Sequence, residues 1–156
     1  MTGIRERLAL HSWTLESTPL PHFLEVAAEA GYPAVELRFI DFQRSIQAGM
    51  TNKDVVRLVR DSGLTVSVLG VEGGLLFSKG AEEDRLLSSV VQSSENAAAI
   101  GCDTLMISPG QNAPDKELHE VAGSLRRAGE IAAGYGLRLA LEVNSRHPVI
   151  TQPDVA

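Results

Sequence analysis

Hydrophobic positions along this chain follow two alternating periods. Five short segments carry apolar side chains at every second position, the spacing of a β-strand; they cover residues 8–12, 34–39, 64–69, 104–108 and 137–144. Between them, apolar side chains recur at i, i+3, i+4 and i+7, which predicts half-buried helices; the clearest stripe is Leu20, Phe23, Leu24 and Ala27. The pattern therefore predicts five strands and four helices in strict alternation.

The helices are predicted over residues 20–30, 51–63 and 82–100, with a fourth from near Asp115 to 134. Helix two begins with Thr51 and Asp54 at the spacing of a capping box. Residues 40–50, between strand two and helix two, carry Asp41 and Arg44 and are predicted to be a long loop. Since long loops at the carboxyl ends of strands often cover substrates, this segment is a candidate lid.

The faces of the predicted strands distinguish between two parallel architectures. Strict βαβ order predicts a parallel sheet with right-handed crossovers, which is either an open doubly wound sheet or a barrel. Each strand here has one aliphatic and one small or polar face; in strand three, Val66 and Val68 alternate with Ser67 and Leu69. An open sheet is covered by helices on both faces, whereas a barrel interior faces other strands. The sequence thus predicts an α/β fold, a partial (β/α)8 TIM barrel.

The length of the chain limits how much of a barrel it can form. A complete eight-stranded barrel needs about 250 residues, and this chain has 156. We therefore expect residues 1–156 to be the N-terminal part of a barrel, strands 1–5 and helices 1–4, truncated before the C-terminal strands. Such a part would expose a sheet edge, and exposed edges pair with other strands. A homo-oligomer is accordingly one expectation.

The fifth strand supplies the main candidate for chemistry. Leu137, Leu139, Leu141 and Val143 fall on one face, so Glu142 and Asn144 fall on the other, at the carboxyl end of the strand. Parallel α/β folds place their active sites at that end. Glu142 is a candidate for acid–base chemistry, or it could pair with a basic neighbour, and Asn144 could bind a ligand or cap the strand.

Further polar or aromatic side chains end other predicted strands. Trp13 could stack on a ligand and His11 could hydrogen-bond to it, or both could belong to the packed core. Glu36 and Arg38 share the inner face of strand two, where they could bind a polar or anionic ligand or could pair with each other. Ser108 ends strand four, and Arg146 follows strand five. The complete set of candidates is His11, Trp13, Glu36, Arg38, Ser108, Glu142, Asn144 and Arg146.

The charge and the hydrophobic pattern of the chain restrict the kinds of partner that we expect it to bind. The net charge of −6 disfavours nucleic acid. No apolar stretch approaches the roughly 20 residues that cross a bilayer, so no membrane partner is expected. The single cysteine, Cys102, allows no internal disulfide and favours a cytoplasmic location.

Three segments resemble the xylose isomerase-like TIM-barrel superfamily, which includes sugar phosphate isomerases and epimerases. They are AGYPAVELR at residues 30–38, AIGCDTL at 99–105 and LALEVN at 139–144. The resemblance implies a divalent metal (Mn, Mg, Co or Zn) and a small polyhydroxy carbonyl substrate. It also implies that Glu142 is a metal ligand and an acid or base, while the remaining ligands of the family would lie on strands 6–8, beyond this chain.

Three alternatives stay open at this point. A dehydroshikimate or inosose type dehydratase of the same superfamily would use the same proton abstraction and then expel water. An apurinic endonuclease of the superfamily would need histidines at strands three and four, where the chain has Ser67 and Ser108. A non-enzymatic half-barrel that self-associates is the alternative from a different class.

Overall fold

The computed structural model describes residues 4–110 and 116–143. Five parallel strands form one sheet in the order β1-β2-β3-β4-β5. Their bounds are Ala9–His11 for β1, Ala34–Arg38 for β2, Thr65–Gly70 for β3, Thr104–Ile107 for β4 and Arg138–Leu141 for β5. The predicted α/β fold with five parallel strands is therefore confirmed.

Five α-helices are described, one more than the sequence predicts. They are α1 Leu20–Glu29, α2 Phe39–Gln47, α3 Asn52–Asp61, α4 Ala81–Ile100 and α5 Leu118–Gly134. Short 3₁₀ helices lie at Ile4–Arg7, Ser12–Leu15 and Leu75–Phe77. Among the described residues, none of the helices is long and apolar enough to cross a membrane.

The strand order explains why the two faces of the sheet differ. Sequential strands joined by right-handed crossovers place their helices on one face, as in a barrel. Against these helices lies a continuous apolar core, to which the sheet contributes Val35, Leu37, Val66, Leu69, Leu105 and Ile107. The opposite face carries small or polar side chains such as Ala34 and Thr104, which are only partly buried. This arrangement is a partial TIM barrel.

Helix α2 replaces the predicted loop at residues 40–50. Its apolar side chains Phe39, Phe42 and Ile46 recur at helical spacing, and Phe42 is buried in the core. Asp41 caps the helix, because its carboxylate accepts a hydrogen bond of 2.8 Å from the backbone N–H of Arg38. Asp41 and Ser45 are buried as well, whereas Arg44 and Gln47 are exposed. The segment is therefore an amphipathic helix, and the prediction of a loop there was wrong.

A bulge in β3 changes which side chains face inward. Val35 pairs with Val66 but the next residue, Glu36, pairs with Val68, so one residue of β3 is extra. That residue is Ser67, whose hydroxyl donates to the Val35 carbonyl at 3.1 Å. Because a bulge reverses the alternation beyond it, Leu69 turns into the core and is not grouped with Ser67 as the two-residue period predicts.

The last two helices depart slightly from the predicted pattern. Helix α5 begins at Leu118 with Glu117 as its cap, so the predicted start near Asp115 was three residues too early; Asp115 itself lies outside the described residues. The buried stripe of α5 is Val121, Ser124, Ala128 and Ala132, and the buried side chains of α4 include Leu86, Val90, Ser93 and Ala97. Apolar periodicity alone does not detect the serines among them.

A buried ionic cluster joins the amino-terminal ends of α4 and α5. The Lys116 ammonium, with a side chain 2% exposed, contacts Glu83 at 3.1 Å and donates to the Ser124 hydroxyl at 2.8 Å and the Ser78 carbonyl at 2.6 Å. Arg127 and Ser124 also donate to the Glu83 carboxylate. Burial acts to raise the pKa of Glu83, but these hydrogen bonds prevail and hold it below its ordinary value.

Candidate functional site

A cavity of about 370 Å³ opens at the carboxyl end of the sheet. Five of the candidate residues line it, although they come from four different strand ends: His11, Trp13, Arg38, Ser108 and Glu142. Its remaining walls come from the residues that follow β2 and β3 and from Met106 of β4. In a parallel sheet these ends meet at one edge, which is where barrel enzymes bind their substrates.

Two glycines stand where backbone segments near the cavity approach one another. Gly70 stands opposite Arg38, and a Cβ atom there would lie 3.7–3.8 Å from atoms of Leu37 and Arg38. Beyond the strand, the loop after β3 touches the loop after β4 so closely that a Cβ on Gly110 would lie 2.8 Å from Gly74 backbone atoms. A Cβ at position 70 would make ordinary contacts, whereas Gly110 has no room for one, so its bare backbone allows the two loops to meet.

Glu142 stands just beyond β5, where its backbone N–H donates to the Ile107 carbonyl at 2.9 Å. This bond extends the β4–β5 ladder, in which Met106 pairs with Ala140. Side chains alternate along a strand, so Glu142 shares the inner face with Ala140. Its side chain is exposed, and none of the described residues forms an ion pair or hydrogen bond with it. Within the described part of the chain, the carboxylate is therefore available to a ligand.

His11 is oriented by two contacts. Its Nδ1 accepts a hydrogen bond of 2.9 Å from the backbone N–H of Trp13, and its Nε2 lies 3.3 Å from a carboxylate oxygen of Glu36. Because Nδ1 accepts, the proton of the neutral ring is on Nε2, from which it can be donated to Glu36. The sheet register places these two residues side by side.

Arg38 is held by a buried network rather than by Glu36. Its Nε donates to the Ser12 hydroxyl at 3.0 Å, and its Nη2 donates to Asp41 at 3.3 Å. Ser12 in turn donates to the other oxygen of Asp41 at 2.6 Å, and Glu16 lies 3.8 Å from the guanidinium. An ion pair between Glu36 and Arg38, the alternative considered from the sequence, is not formed: each has a different partner.

Trp13 is the large apolar surface of the site. Its side chain is 65% exposed, while the Arg38 guanidinium carbon lies 5.6 Å from the ring centre. A cation at this distance is attracted to the aromatic face. The His11 ring is also close, with 6.3 Å between the ring centres. The Arg38 guanidinium and the His11 ring thus lie near Trp13, and much of its surface remains open to solvent.

Three functional neighbours were missed by sequence reasoning. Ser12 and Asp41 hold Arg38, and Glu72 lines the cavity while it accepts hydrogen bonds of 2.9 and 3.1 Å from Arg85. Glu72 follows the end of β3 by two residues, so the rule that selected Glu142 could have found it. Asp41 stands three residues after Arg38, the spacing of a capping carboxylate.

The remaining candidates lie outside the cavity or outside the described residues. Glu36 is one step below the cavity, against His11. Asn144 and Arg146 fall outside the described residues. Cys102 is buried next to α4, where burial raises the pKa of its thiol.

The described residues do not form a metal site by themselves. Within residues 4–110 and 116–143, no group of three or more His, Cys, Asp or Glu side chains could hold an ion. Glu142 fits as one oxygen ligand, while Glu72 and Glu36 are engaged with Arg85 and His11. Because Mg²⁺ requires about six ligands and Zn²⁺ about four, a complete coordination sphere needs donors from beyond this part of the chain.

Comparison with known proteins defines the family. The family model described as the xylose isomerase-like TIM barrel matches residues 24–155. Since this match covers most of the sequence, the chain belongs to the xylose isomerase-like TIM-barrel family. No significant match was found among curated proteins.

Solved structures agree with the fold. A xylose isomerase domain protein from Alicyclobacillus acidocaldarius superposes with a TM-score of 0.74 at 21% identity, over 92% of this chain and 55% of that one. The 3-keto-D-glucoside 4-epimerase YcjR from E. coli gives 0.71 at 18% identity, over 95% and 60%. The IOLI protein with a bound zinc atom gives 0.67 at 19%, over 85% and 50%. The chain thus spans 50–60% of these structures.

Proposed function

We propose that this chain forms strands 1–5 of a divalent-metal-dependent sugar isomerase or epimerase. Its substrate would be a small polyhydroxy carbonyl compound, and the reaction would move a proton at the carbon next to the carbonyl. The observation that carries the proposal is the convergence of Glu142, Ser108, His11 and Trp13 on one cavity at the carboxyl end of the sheet. The names of two solved relatives, an epimerase and a zinc-bound protein, support the same class.

Glu142 is the group to which we assign the proton transfer. A carboxylate without a side-chain partner in the described part of the chain can accept a proton from carbon and return it. A divalent ion bound there, with ligands from beyond the described residues, would polarise the carbonyl oxygen and so acidify that carbon.

The other residues bind and orient the substrate in this proposal. Trp13 offers an apolar face to the C–H side of a sugar, while Ser108 offers a hydroxyl that both donates and accepts. The fixed ring of His11 presents one orientation to the cavity. Arg38 acts indirectly, because its guanidinium is already bound to Ser12 and Asp41 and supports Trp13.

Hydrogen exchange at the reacting carbon tests the proposal. The protein would be incubated in D₂O with D-fructose, D-xylulose or D-psicose and with Mn²⁺, Mg²⁺, Co²⁺ or Zn²⁺ in turn. We expect metal-dependent deuterium incorporation next to the carbonyl, seen by NMR, and a decrease of at least about 100-fold in Glu142→Gln, since general base catalysis contributes about 10²–10⁴.

Glu130→Gln is the matched control, because Glu130 is an exposed carboxylate on α5, away from the cavity. It should exchange at the wild-type rate. Failure of every metal and sugar to give exchange, or equal rates in Glu142→Gln and wild type, would contradict the proposal.

A further inference from the structure

A second and larger cleft lies beside the central cavity. Its volume is about 960 Å³, and it separates the segment after β1 from helix α2. Glu16 and Pro21 belong to one wall, and Arg44, Ala48 and Met50 to the other. Trp13 lines both this cleft and the central cavity, so the two spaces meet at its ring.

The walls of the cleft are tied together by hydrogen bonds and ion pairs. Arg44 of α2 donates to the backbone carbonyl of Glu16 at 2.7 Å and lies 3.6 Å from its carboxylate. Below them, Asp41 is bound to Ser12 and Arg38. These contacts fix the distance between the walls before any ligand arrives, which lowers the entropic cost of binding.

The charges at the cleft cancel when Arg38, which is bound to its lining carboxylates, is counted with them. Glu16 and Asp41 contribute two carboxylates, Arg44 contributes one guanidinium, and Arg38 contacts both carboxylates from beneath. A ligand with a net charge would therefore gain little from this lining. The other lining groups are hydroxyls and apolar side chains, including Thr14, Ser17, Leu15 and Met50. Sugar rings have the same mixture of hydroxyl edges and apolar C–H faces.

We propose that this cleft is a second binding subsite, which takes the uncharged remote ring of a glycoside whose reacting ring occupies the central cavity. The exposed Trp13 ring is the wall that both sugar rings contact. The inference rests on the proposed function for the identity of the reacting ring, but it predicts binding that does not require catalysis. It extends the substrates from free monosaccharides to glycosides of two rings.

Trp13 also provides the measurement, because it is the one tryptophan of the chain. Fluorescence excited at 295 nm would be followed during titration with cellobiose, lactose or trehalose, each compared with its component monosaccharides, in the presence of EDTA. At least one disaccharide should change the emission and bind at least tenfold more tightly than either of its monosaccharides.

Two variants test whether the tenfold tighter binding of a disaccharide depends on the cleft. Ala48→Phe and the smaller Ala48→Leu place bulk on an exposed lining position and should reduce the tenfold gain to less than twofold, with monosaccharide binding unchanged. Ala28→Phe, at an exposed position on α1 outside the lining, should keep the gain.

The outcomes separate the subsite from the proposed function. Monosaccharide and disaccharide binding of equal strength, a gain that survives both Ala48 variants, or no response to any sugar would overturn the subsite. A gain that is lost in the Ala48 variants would support it, even if the exchange experiment in D₂O showed no reaction and the proposed function failed.

Discussion

The two sides of the candidate site are built in opposite ways. At the ends of β1 and β2, the polar side chains bind one another: Ser12, Arg38 and Asp41 form a closed network, and His11 contacts Glu36. Near the ends of β4 and β5, Glu142 is exposed and has no side-chain partner among the described residues. Both sides carry charge at the carboxyl edge of one sheet, yet one side satisfies that charge internally.

This difference separates residues that shape the site from residues that can react. A buried guanidinium must be paired, since an unpaired buried charge costs several kcal/mol. Arg38 therefore serves to fix Trp13 and the start of α2, and little of its charge is free for a ligand. An exposed carboxylate such as Glu142 is solvated by water and needs no ionic partner for stability. It can therefore bind a metal or a proton without weakening the fold.

The largest effect is expected from breaking the closed side. Asp41→Ala would leave Arg38 without its main partner and would remove the carboxylate that caps α2. We expect a loss of about 3 kcal/mol in the free energy of unfolding, because removal of one partner of a buried pair costs about 3–5 kcal/mol. Urea denaturation followed by circular dichroism measures it.

Asp61→Ala is the matched control for this change, because Asp61 is an exposed aspartate at the end of α3. Its stability should stay within about 0.5 kcal/mol of wild type. If Asp41→Ala were equally mild, the network would be a set of solvated contacts, and the distinction between the two sides would fail.

The sequence alone predicts the open side better than the closed side. Glu142 follows from strand periodicity, because one strand with a continuous aliphatic face suffices to place it. The barrel-like split of the sheet faces follows from the same local pattern, and the parallel sheet follows from the alternation of strand and helix patterns along the chain. Both features can be recognised in the linear order of apolar and polar positions.

The closed side depends on contacts that periodicity does not contain. Ser12 and Asp41 are 29 residues apart, and the two-residue period assigns Ser12 to the aliphatic face of β1. The bulge at Ser67 likewise arises from the register between two strands. The polar residues at 40–50 obscure the apolar periodicity of α2, because only a few of its side chains face the core. Such features can be recognised only in the tertiary structure.

An intermediate effect is expected at the ionic cluster of α4 and α5, a second closed network at the same rim. The pKa of Glu83 lies below its ordinary value, 4.5, because hydrogen bonds from Ser124, Lys116 and Arg127 overcome the effect of burial. A lowered folded-state pKa stabilises the protein above the unfolded value, and this contribution is lost as the pH falls through the folded value.

Glu83→Gln should therefore be less stable than wild type by about 1–3 kcal/mol at pH 7. The difference should shrink as the pH falls below 4.5, where the wild-type carboxyl also takes up its proton. Urea denaturation of both proteins from pH 7 to pH 3 gives the comparison, with Glu130→Gln as the exposed control. A difference that stays constant across this range would show that the charge of Glu83 has no part in it.

The smallest effect on stability is expected on the open side. Glu142→Gln removes a charge that none of the described side chains contacts, so the free energy of unfolding should change by less than about 0.5 kcal/mol. Metal titration should behave in the opposite way: if Glu142 is a ligand, Mn²⁺ affinity measured by isothermal titration should fall by at least tenfold while stability stays constant. A stability loss above about 1 kcal/mol would instead place Glu142 with Asp41 among the structural carboxylates. The comparison between the two sides thus depends on these variants showing opposite responses: Asp41→Ala unfolds more easily, whereas Glu142→Gln stays folded and binds less metal.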